Sequence, residues 1–115
     1  MDIEFEKNKL KLPFNKVSFK HDIDNVIEAK GRIVVLLDIP NSDDTIDNVF
    51  ALDINGKKLW RVQPLKEYNS NITQFSPYVG IGLLENGNIT ATNYFGMSYE
   101  ISIADGKILN ATLTK

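Results

Sequence analysis

The only histidine in the chain, His21, lies beside Asp22 and Asp24 and is the first candidate for chemistry. An imidazole next to a carboxylate can act as a general base. Catalysis also requires a nucleophile or a group that orients the substrate, and the neighbouring sequence contains no motif that supplies either. We therefore interpret His21 as a surface residue at the end of a strand. A small hydrolase that uses His21 or Asp38 stays open as an alternative function.

A run of aspartates in the segment DIPNSDDTID contains Asp38, Asp43, Asp44 and Asp47. Calcium loops place oxygen ligands at alternate positions around a glycine. This segment has neither that spacing nor a glycine, so we predict no metal site. Clustered carboxylates focus a negative potential that speeds encounter with a cation. The segment is interpreted either as a solvated loop or as a loop that meets a basic partner.

The aromatic residues offer two kinds of role. Trp60 is interpreted as a core anchor in preference to an exposed binding residue. Tyr68 and Tyr78 are candidates for anchoring a partner, because tyrosine combines an apolar ring with a polar end at protein interfaces. The glycines follow neither the GxGxxG pattern nor a P-loop, so the sequence predicts no cofactor.

Length, charge and cysteine content exclude several classes of protein. The 115 residues are 43% hydrophobic and 24% charged, which is typical of one globular domain over residues 1–115. A net charge of −2 argues against nucleic-acid binding, which depends on clustered Lys and Arg. The absence of cysteine fits a reducing compartment. The first residues, MDIEFEKNKLKL, lack the basic start of a signal peptide, and no apolar run is long enough to cross a membrane, so we expect a cytoplasmic protein.

The clearest structural signal is the segment NVFALDINGKKLWRV. Phe50, Leu52 and Ile54 alternate with other residues, as in a half-buried strand. The pair Asn55-Gly56 predicts a type I′ turn, which needs two positive φ angles. The segment is therefore predicted to form a β-hairpin.

A second copy of this hairpin, SYEISIADGKILNATL, lies near the C-terminus, with one extra residue before the glycine. An apolar strand pair precedes each hairpin and turns at Lys30-Gly31 or Asn86-Gly87. The sequence therefore predicts two four-stranded antiparallel meanders, at about residues 23–62 and 75–113. Each meander has one apolar face, so we expect the two to pack as a sandwich or a partly open barrel.

The remaining segments complete an all-β prediction. Residues 2–19 alternate as one or two extra strands that close an edge, with a break at Pro13. The polar linker PLKEYNSNITQFSP, between the two units, is the one segment in which a short helical turn is expected. No segment shows a sustained helical period.

The first hairpin resembles one blade of a quinoprotein-type β-propeller. The resemblance lies in Val49, Phe50, Ala51, Leu52, Asp53, Gly56, Lys57, Leu59 and Trp60. In the second unit only the hairpin is similar, because Asn110 stands at the tryptophan position. A propeller needs at least about four blades of roughly 40 to 50 residues, so this chain cannot form one alone. It is also similar to small bacterial hypothetical proteins with such a hairpin and an SPYxGI segment, here residues 76–81, which implies no particular activity.

The scarcity of catalytic residues favours a non-enzymatic protein-binding module. The sharper hypothesis is an immunity protein that covers the active site of a bacterial toxin, such as a basic nuclease in contact-dependent inhibition. The residues predicted to bind the partner are Asp38, Asp43, Asp44, Asp47, Tyr68 and Tyr78. The free protein is expected to be a monomer or a weak homodimer. A structural propeller-like protein that pairs through sheet edges is the second hypothesis.

Overall fold

The computed structural model describes residues 3–113, which contain eleven β-strands and one short helix. The prediction of an all-β chain is confirmed. The helix is a single turn in the linker between the two units, as expected. The elements are β1 (Glu4–Glu6), β2 (Lys9–Lys11), β3 (Lys16–Ser18), β4 (Ile23–Ala29), β5 (Arg32–Leu37), β6 (Val49–Leu52), β7 (Lys58–Arg61), α1 (Leu65–Tyr68), β8 (Tyr78–Leu83), β9 (Ile89–Asn93), β10 (Met97–Ile101) and β11 (Ile108–Leu113).

The strands form three antiparallel sheets, each in simple up-and-down order. We call them the N-terminal sheet (β1 to β3), the first unit (β4 to β7) and the second unit (β8 to β11). The two predicted four-stranded meanders are confirmed. No sheet closes into a barrel within residues 3–113.

The N-terminal segment departs from its prediction, because it forms a separate third sheet instead of extending an edge. Its break at Pro13 falls between β2 and β3, as expected. Leu10, Leu12 and Phe19 are buried against one face of the first unit. This face-to-face burial removes more apolar surface from water than edge pairing would, which explains the arrangement.

The first unit is buried on both faces, and β5 shows this most clearly. Ile33 and Val35 pack with the N-terminal sheet. Val34 and Leu36 point the other way and join a larger apolar cluster that includes residues of both four-stranded units. A strand that is buried on both faces needs apolar side chains at nearly every position, which accounts for the sequence RIVVLL.

The type I′ turn expected at Asn55-Gly56 is wrong, because only Gly56 has a positive φ, of 89°. The Asp53 carboxylate accepts hydrogen bonds from the N–H groups of Asn55 and Lys57 at 2.9 and 3.0 Å. These bonds stabilise a longer turn in which only the glycine needs the left-handed region. Two consecutive positive φ angles occur instead at Lys30 and Gly31, 50° and 74°.

The internal repeat extends to irregularities that the alternation pattern does not show. The pairing of β4 with β5 skips Asp24, and that of β8 with β9 skips Val79. The hairpins repeat the same feature, since their returning strands skip Leu59 and Leu109. Each skipped residue is a β-bulge, which bends the strand and redirects a side chain. The two units therefore share bulges at corresponding positions.

Trp60 joins the two units from within the core, which confirms its interpretation as a core anchor. Its indole Nε1–H donates a hydrogen bond to the carbonyl of Ile103 at 2.9 Å. The ring lies against Gly106, where an added Cβ would come within 2.6 Å of a ring carbon. A glycine is therefore required at position 106 for two reasons. Its φ is positive, at 78°, and the indole ring approaches its backbone closely.

Asn48 provides a second, polar connection between the units. Its fully buried side-chain amide donates to the carbonyls of Leu37 and Tyr78 at 2.7 and 2.8 Å. Its carbonyl oxygen accepts from the N–H of Tyr78 at 2.8 Å. One side chain thus satisfies backbone groups that the sheets leave unpaired in the interior, where an unpaired polar group is costly.

We expect Asn48→Ala to lower the free energy of unfolding by about 3 kcal/mol, because three buried backbone groups would lose their partner. Urea unfolding at pH 7 measures this change. The exposed Asn41→Ala is the control and should change stability by less than about 0.5 kcal/mol. Equal losses in the two variants would show that Asn48 does not hold the units together.

Gly106→Ala and Gly31→Ala form a matched pair, since both glycines have similar positive φ angles but only Gly106 is enclosed. Gly31→Ala should cost about 1 kcal/mol, the strain of an alanine in the left-handed region. Gly106→Ala should cost about 1 to 3 kcal/mol more, because its methyl group overlaps the Trp60 ring. Thermal and urea unfolding compare them, and similar costs would contradict the close packing of Trp60.

Candidate functional site

An acidic cleft lies where the two four-stranded units meet, beside the first residues of β4 and β8. It has a volume of about 360 Å³. Its walls combine two carboxylates, those of Asp24 and Asp38, with Ser76, Val79 and Tyr94. We refer to this feature as the acidic cleft.

The two β-bulges explain how the acidic cleft forms. Asp24 and Val79 are the residues skipped in the pairing of β4 and β8, so neither follows the alternation of its strand. A bulge re-aims the side chain of the extra residue. Asp38 follows the end of β5 directly, and its N–H donates to the carbonyl of Asp22 at 2.8 Å. Corresponding bulges of two neighbouring units therefore contribute one acidic and one apolar side chain to the same cleft.

The apolar part of the acidic cleft is exposed to solvent. Tyr94 is 77% exposed and Val79 54% exposed. The N–H of Tyr94 donates to the Ser76 hydroxyl at 3.1 Å, which fixes the turn that carries the ring. The Tyr94 ring meets Phe95 edge to face, with centroids 6.0 Å apart. This turn presents a preformed aromatic surface, of the kind that is enriched at protein interfaces.

The electrostatics of the acidic cleft favour a cationic ligand. Neither Asp24 nor Asp38 takes part in a salt bridge within residues 3–113. The same residues hold no group of three or more His, Asp or Glu side chains arranged for a metal ion. Two carboxylates beside apolar surface suit a lysine or arginine, whose aliphatic stem packs while its charged end binds a carboxylate.

The loop between β5 and β6 uses one of its aspartates to hold itself together. The Asp43 carboxylate accepts hydrogen bonds from the Thr45 hydroxyl at 2.6 Å and the Thr45 N–H at 2.8 Å. It also contacts the His21 imidazole at 2.7 Å and the Lys20 ammonium at 3.6 Å. The bonds from Thr45, with smaller contributions from His21 and Lys20, hold the pKa of Asp43 far below its ordinary value. Asp43 therefore anchors the loop.

The other predicted aspartates lie in different surroundings. Asp38 lines the acidic cleft, and Asp44 is exposed on the loop. Asp47 is half-buried, and burial raises its pKa against the opposing effect of Arg61. Only Asp38 of the four predicted aspartates borders the acidic cleft, and a role for Asp43, Asp44 and Asp47 in binding a partner stays a prediction.

The two predicted tyrosines pack around Tyr99, on the side of the second unit that faces the first. Tyr78 is only 2% exposed, and its ring centroid lies 6.0 Å from that of Tyr99. Within residues 3–113 its hydroxyl has no hydrogen-bond partner, and burial raises the pKa of this group strongly, with smaller effects of Tyr99 and Asp47. Tyr68 is half-buried and meets Tyr99 from another direction at 6.4 Å. Tyr78 also borders the acidic cleft, as Asp38 does, but the exposed aromatic residue there is Tyr94.

His21 does not border the acidic cleft. Its contact with Asp43 gives the imidazole and carboxylate that a general base uses, but that carboxylate already accepts two bonds from Thr45. This geometry is that of a loop anchor. The hydrolase alternative stays a prediction without support from the cleft.

A larger concavity of about 710 Å³ lies on the N-terminal sheet. It is bordered by lysines of β2 and β3 and by Glu4 and Glu6 of β1. Glu4 pairs with Lys11 and Glu6 with Lys9 in the strand register, so opposite charges face each other across the sheet. We interpret this surface as a solvated outer face despite its size.

Sequence reasoning missed Asp24, Val79 and Tyr94 as parts of one site. In the sequence Asp24 is notable only as a neighbour of His21, and no motif surrounds Tyr94. The alternation of apolar and polar residues assigns every residue of a strand to one of two faces. It therefore does not reveal a β-bulge, and the bulges at Asp24 and Val79 form the acidic cleft.

We expect Asp43→Asn to destabilise the protein at neutral pH. The pKa of Asp43 is lower in the folded state than its ordinary value of 3.8. Its charge therefore stabilises the fold fully above that value, and this contribution is lost as the pH falls towards the folded-state pKa. Urea midpoints of wild type and Asp43→Asn should differ at pH 7 and approach each other below about pH 4. The exposed Asp44→Asn is the control, and a constant difference for Asp43→Asn at all pH values would contradict the prediction.

No helix within residues 3–113 is both long enough and apolar enough to cross a membrane. No curated protein and no solved structure matches the chain. The resemblance to quinoprotein-type blades stays a prediction. The pattern of the family described as "Domain of unknown function (DUF7957)" matches residues 1–113, which include all three sheets, and the chain therefore belongs to that family.

Proposed function

We propose that this protein is a non-enzymatic protein-binding module that captures a basic protein through the acidic cleft. One observation carries the proposal: two carboxylates without salt-bridge partners among the described residues, Asp24 and Asp38, lie beside the exposed side chains of Val79 and Tyr94. Charge and apolar contact surface thus occur together in a preformed concavity.

The two halves of the acidic cleft would act at different stages of binding. Carboxylates at the rim attract a positively charged protein and raise the association rate. An exposed aromatic ring contributes mainly to the lifetime of the complex, because it removes a large apolar area from water. The connections through Asn48 and Trp60 hold the two walls in place before binding, which reduces the entropy lost on association.

We further propose that the partner is a bacterial toxin and that the protein is its immunity protein. A nuclease toxin binds phosphates through a cationic groove, and the same groove would supply the charges that the acidic cleft requires. The net charge of −2 and the exposed carboxylate of Asp44 support attraction to such a surface. In this role the protein acts in the cytoplasm and needs neither a metal nor a cofactor.

The test uses the product of the adjacent reading frame, expressed with and without this protein. We expect the wild-type protein to form a 1:1 complex with it and to restore growth. The double variant Asp24→Lys/Asp38→Lys should weaken binding by at least about tenfold and lose protection, because two attractive contacts become repulsive. Titration calorimetry and growth assays measure these effects.

Glu67→Lys/Glu85→Lys is the matched control, since it changes the net charge equally at exposed positions outside the acidic cleft. It should retain binding close to that of the wild type. Equal losses in the two double variants would show that overall charge alone matters. An adjacent product that does not inhibit growth, or that this protein does not bind, would reject the immunity role.

A second candidate function rests on the uncharged edge strands β8 and β11. Leu83 and Leu109 are exposed on these edges, which offer unpaired backbone groups for association with another copy. A protein of this kind would assemble through its sheets. Sedimentation of the wild-type protein at increasing concentration separates this function from the first.

A further inference from the structure

The edge strand β8 differs from most other edges of the three sheets. It spans six residues, YVGIGL, and carries no charged side chain. The edge strands β4 and β7 each contain charged residues, and β1 and β3 are only three residues long. Charges and short length are the usual protection of a sheet edge against strand addition. Among the described edges β11 is also uncharged, but none of its residues lines the acidic cleft.

The first position of the β8 edge already shows how it can be paired. The N–H and carbonyl of Tyr78 both bond to the side-chain amide of Asn48. The amide therefore takes the place of a neighbouring strand at this residue. Beyond Tyr78, no strand within residues 3–113 is hydrogen-bonded to this side of β8.

The direction of the remaining backbone groups follows from the turn that ends β8. The N–H of Leu84 donates to the carbonyl of Asn88, on the β9 side. Hydrogen-bonding direction alternates along a strand. The N–H and carbonyl groups of Leu83 and Ile81 therefore point to the free edge.

Gly80 leaves open space on one face of β8, whereas an added Cβ at Gly82 would come within 3.1 Å of the Thr90 side chain. An added Cβ at Gly80 would have no atom within 4 Å. Glycine within a strand often marks a place where another backbone approaches closely. Val79, the bulge residue, and Leu83 lie at the two ends of this stretch with exposed side chains.

We propose that β8 binds an extended segment of the partner as an added antiparallel or parallel strand, with a lysine or arginine of that segment held between Asp24 and Asp38. This proposal rests on the proposed function of the acidic cleft and adds the mode of recognition. Backbone bonds to Ile81 and Leu83 supply affinity, and the acidic cleft selects a basic residue at one position. The occupant is therefore an extended basic segment, by charge complementarity.

The probe is an end-blocked, fluorescein-labelled peptide of about eight residues that alternates valine and threonine and carries two lysines, long enough to cover β8. Two further peptides carry N-methyl groups on alternate residues. In one of these peptides all the methyl groups lie along one edge of the extended chain, and in the other they all lie along the opposite edge. Because a lysine must lie between Asp24 and Asp38, one edge of the peptide is selected to pair with β8, so one methylated peptide should bind at least about tenfold more weakly and the other should bind almost normally. Fluorescence anisotropy measures all three affinities.

Two measurements locate the bound peptide. Hydrogen exchange of the Ile81 and Leu83 amides should slow on binding, whereas the amides of the β11 edge should not change. The variant Asp24→Asn/Asp38→Asn should weaken binding of the lysine peptide by at least about tenfold, and a peptide with glutamates in place of the lysines should not bind.

The outcomes separate the two proposals. If both methylated peptides bind like the parent but the Asn variant weakens binding, strand addition is wrong and the acidic cleft keeps its role. If methylation on one edge weakens binding and the Asn variant has no effect, strand addition is supported and the role of the acidic cleft fails. If the parent peptide does not bind at about 1 mM, or protects β11 instead of β8, the inference is overturned.

Discussion

Burial of the first unit on both of its faces is the constraint on which the rest of the structure depends. Its strand β5 contributes alternate residues to two apolar clusters, one shared with the N-terminal sheet and one shared with the second unit. A sheet that is covered twice leaves few groups free for chemistry. The carboxylates of the acidic cleft, Asp24 and Asp38, lie near the ends of its strands β4 and β5.

Two specific contacts turn this general burial into a defined arrangement. Apolar faces alone allow sheets to slide, because the hydrophobic effect has no preferred direction. The hydrogen bonds from Trp60 to Ile103 and from Asn48 to Tyr78 are directional, and they connect the units on either side of the linker. Asn48 also satisfies the first free backbone groups of β8. The same residue thus positions a wall of the acidic cleft and marks where the open edge begins.

Most local features of the fold could be predicted from the sequence, apart from the turn type at Asn55-Gly56, and the long-range contacts could not. The hairpins, the turn in the linker and the burial of Trp60 follow from alternation, turn residues and residue type over short stretches. The acidic cleft depends on bulges at Asp24 and Val79, which shift one strand relative to another without changing the alternation visible nearby. The role of Asn48 depends on a backbone thirty residues away. No short pattern contains that information.

The up-and-down order of every sheet also has a kinetic consequence. Each pair of hydrogen-bonded strands is adjacent along the chain, so pairing closes short loops and proceeds quickly. We therefore expect the three sheets to become structured separately and their docking to be the slow step. Trp60 and Asn48 bridge the units, so they form their contacts in that late step.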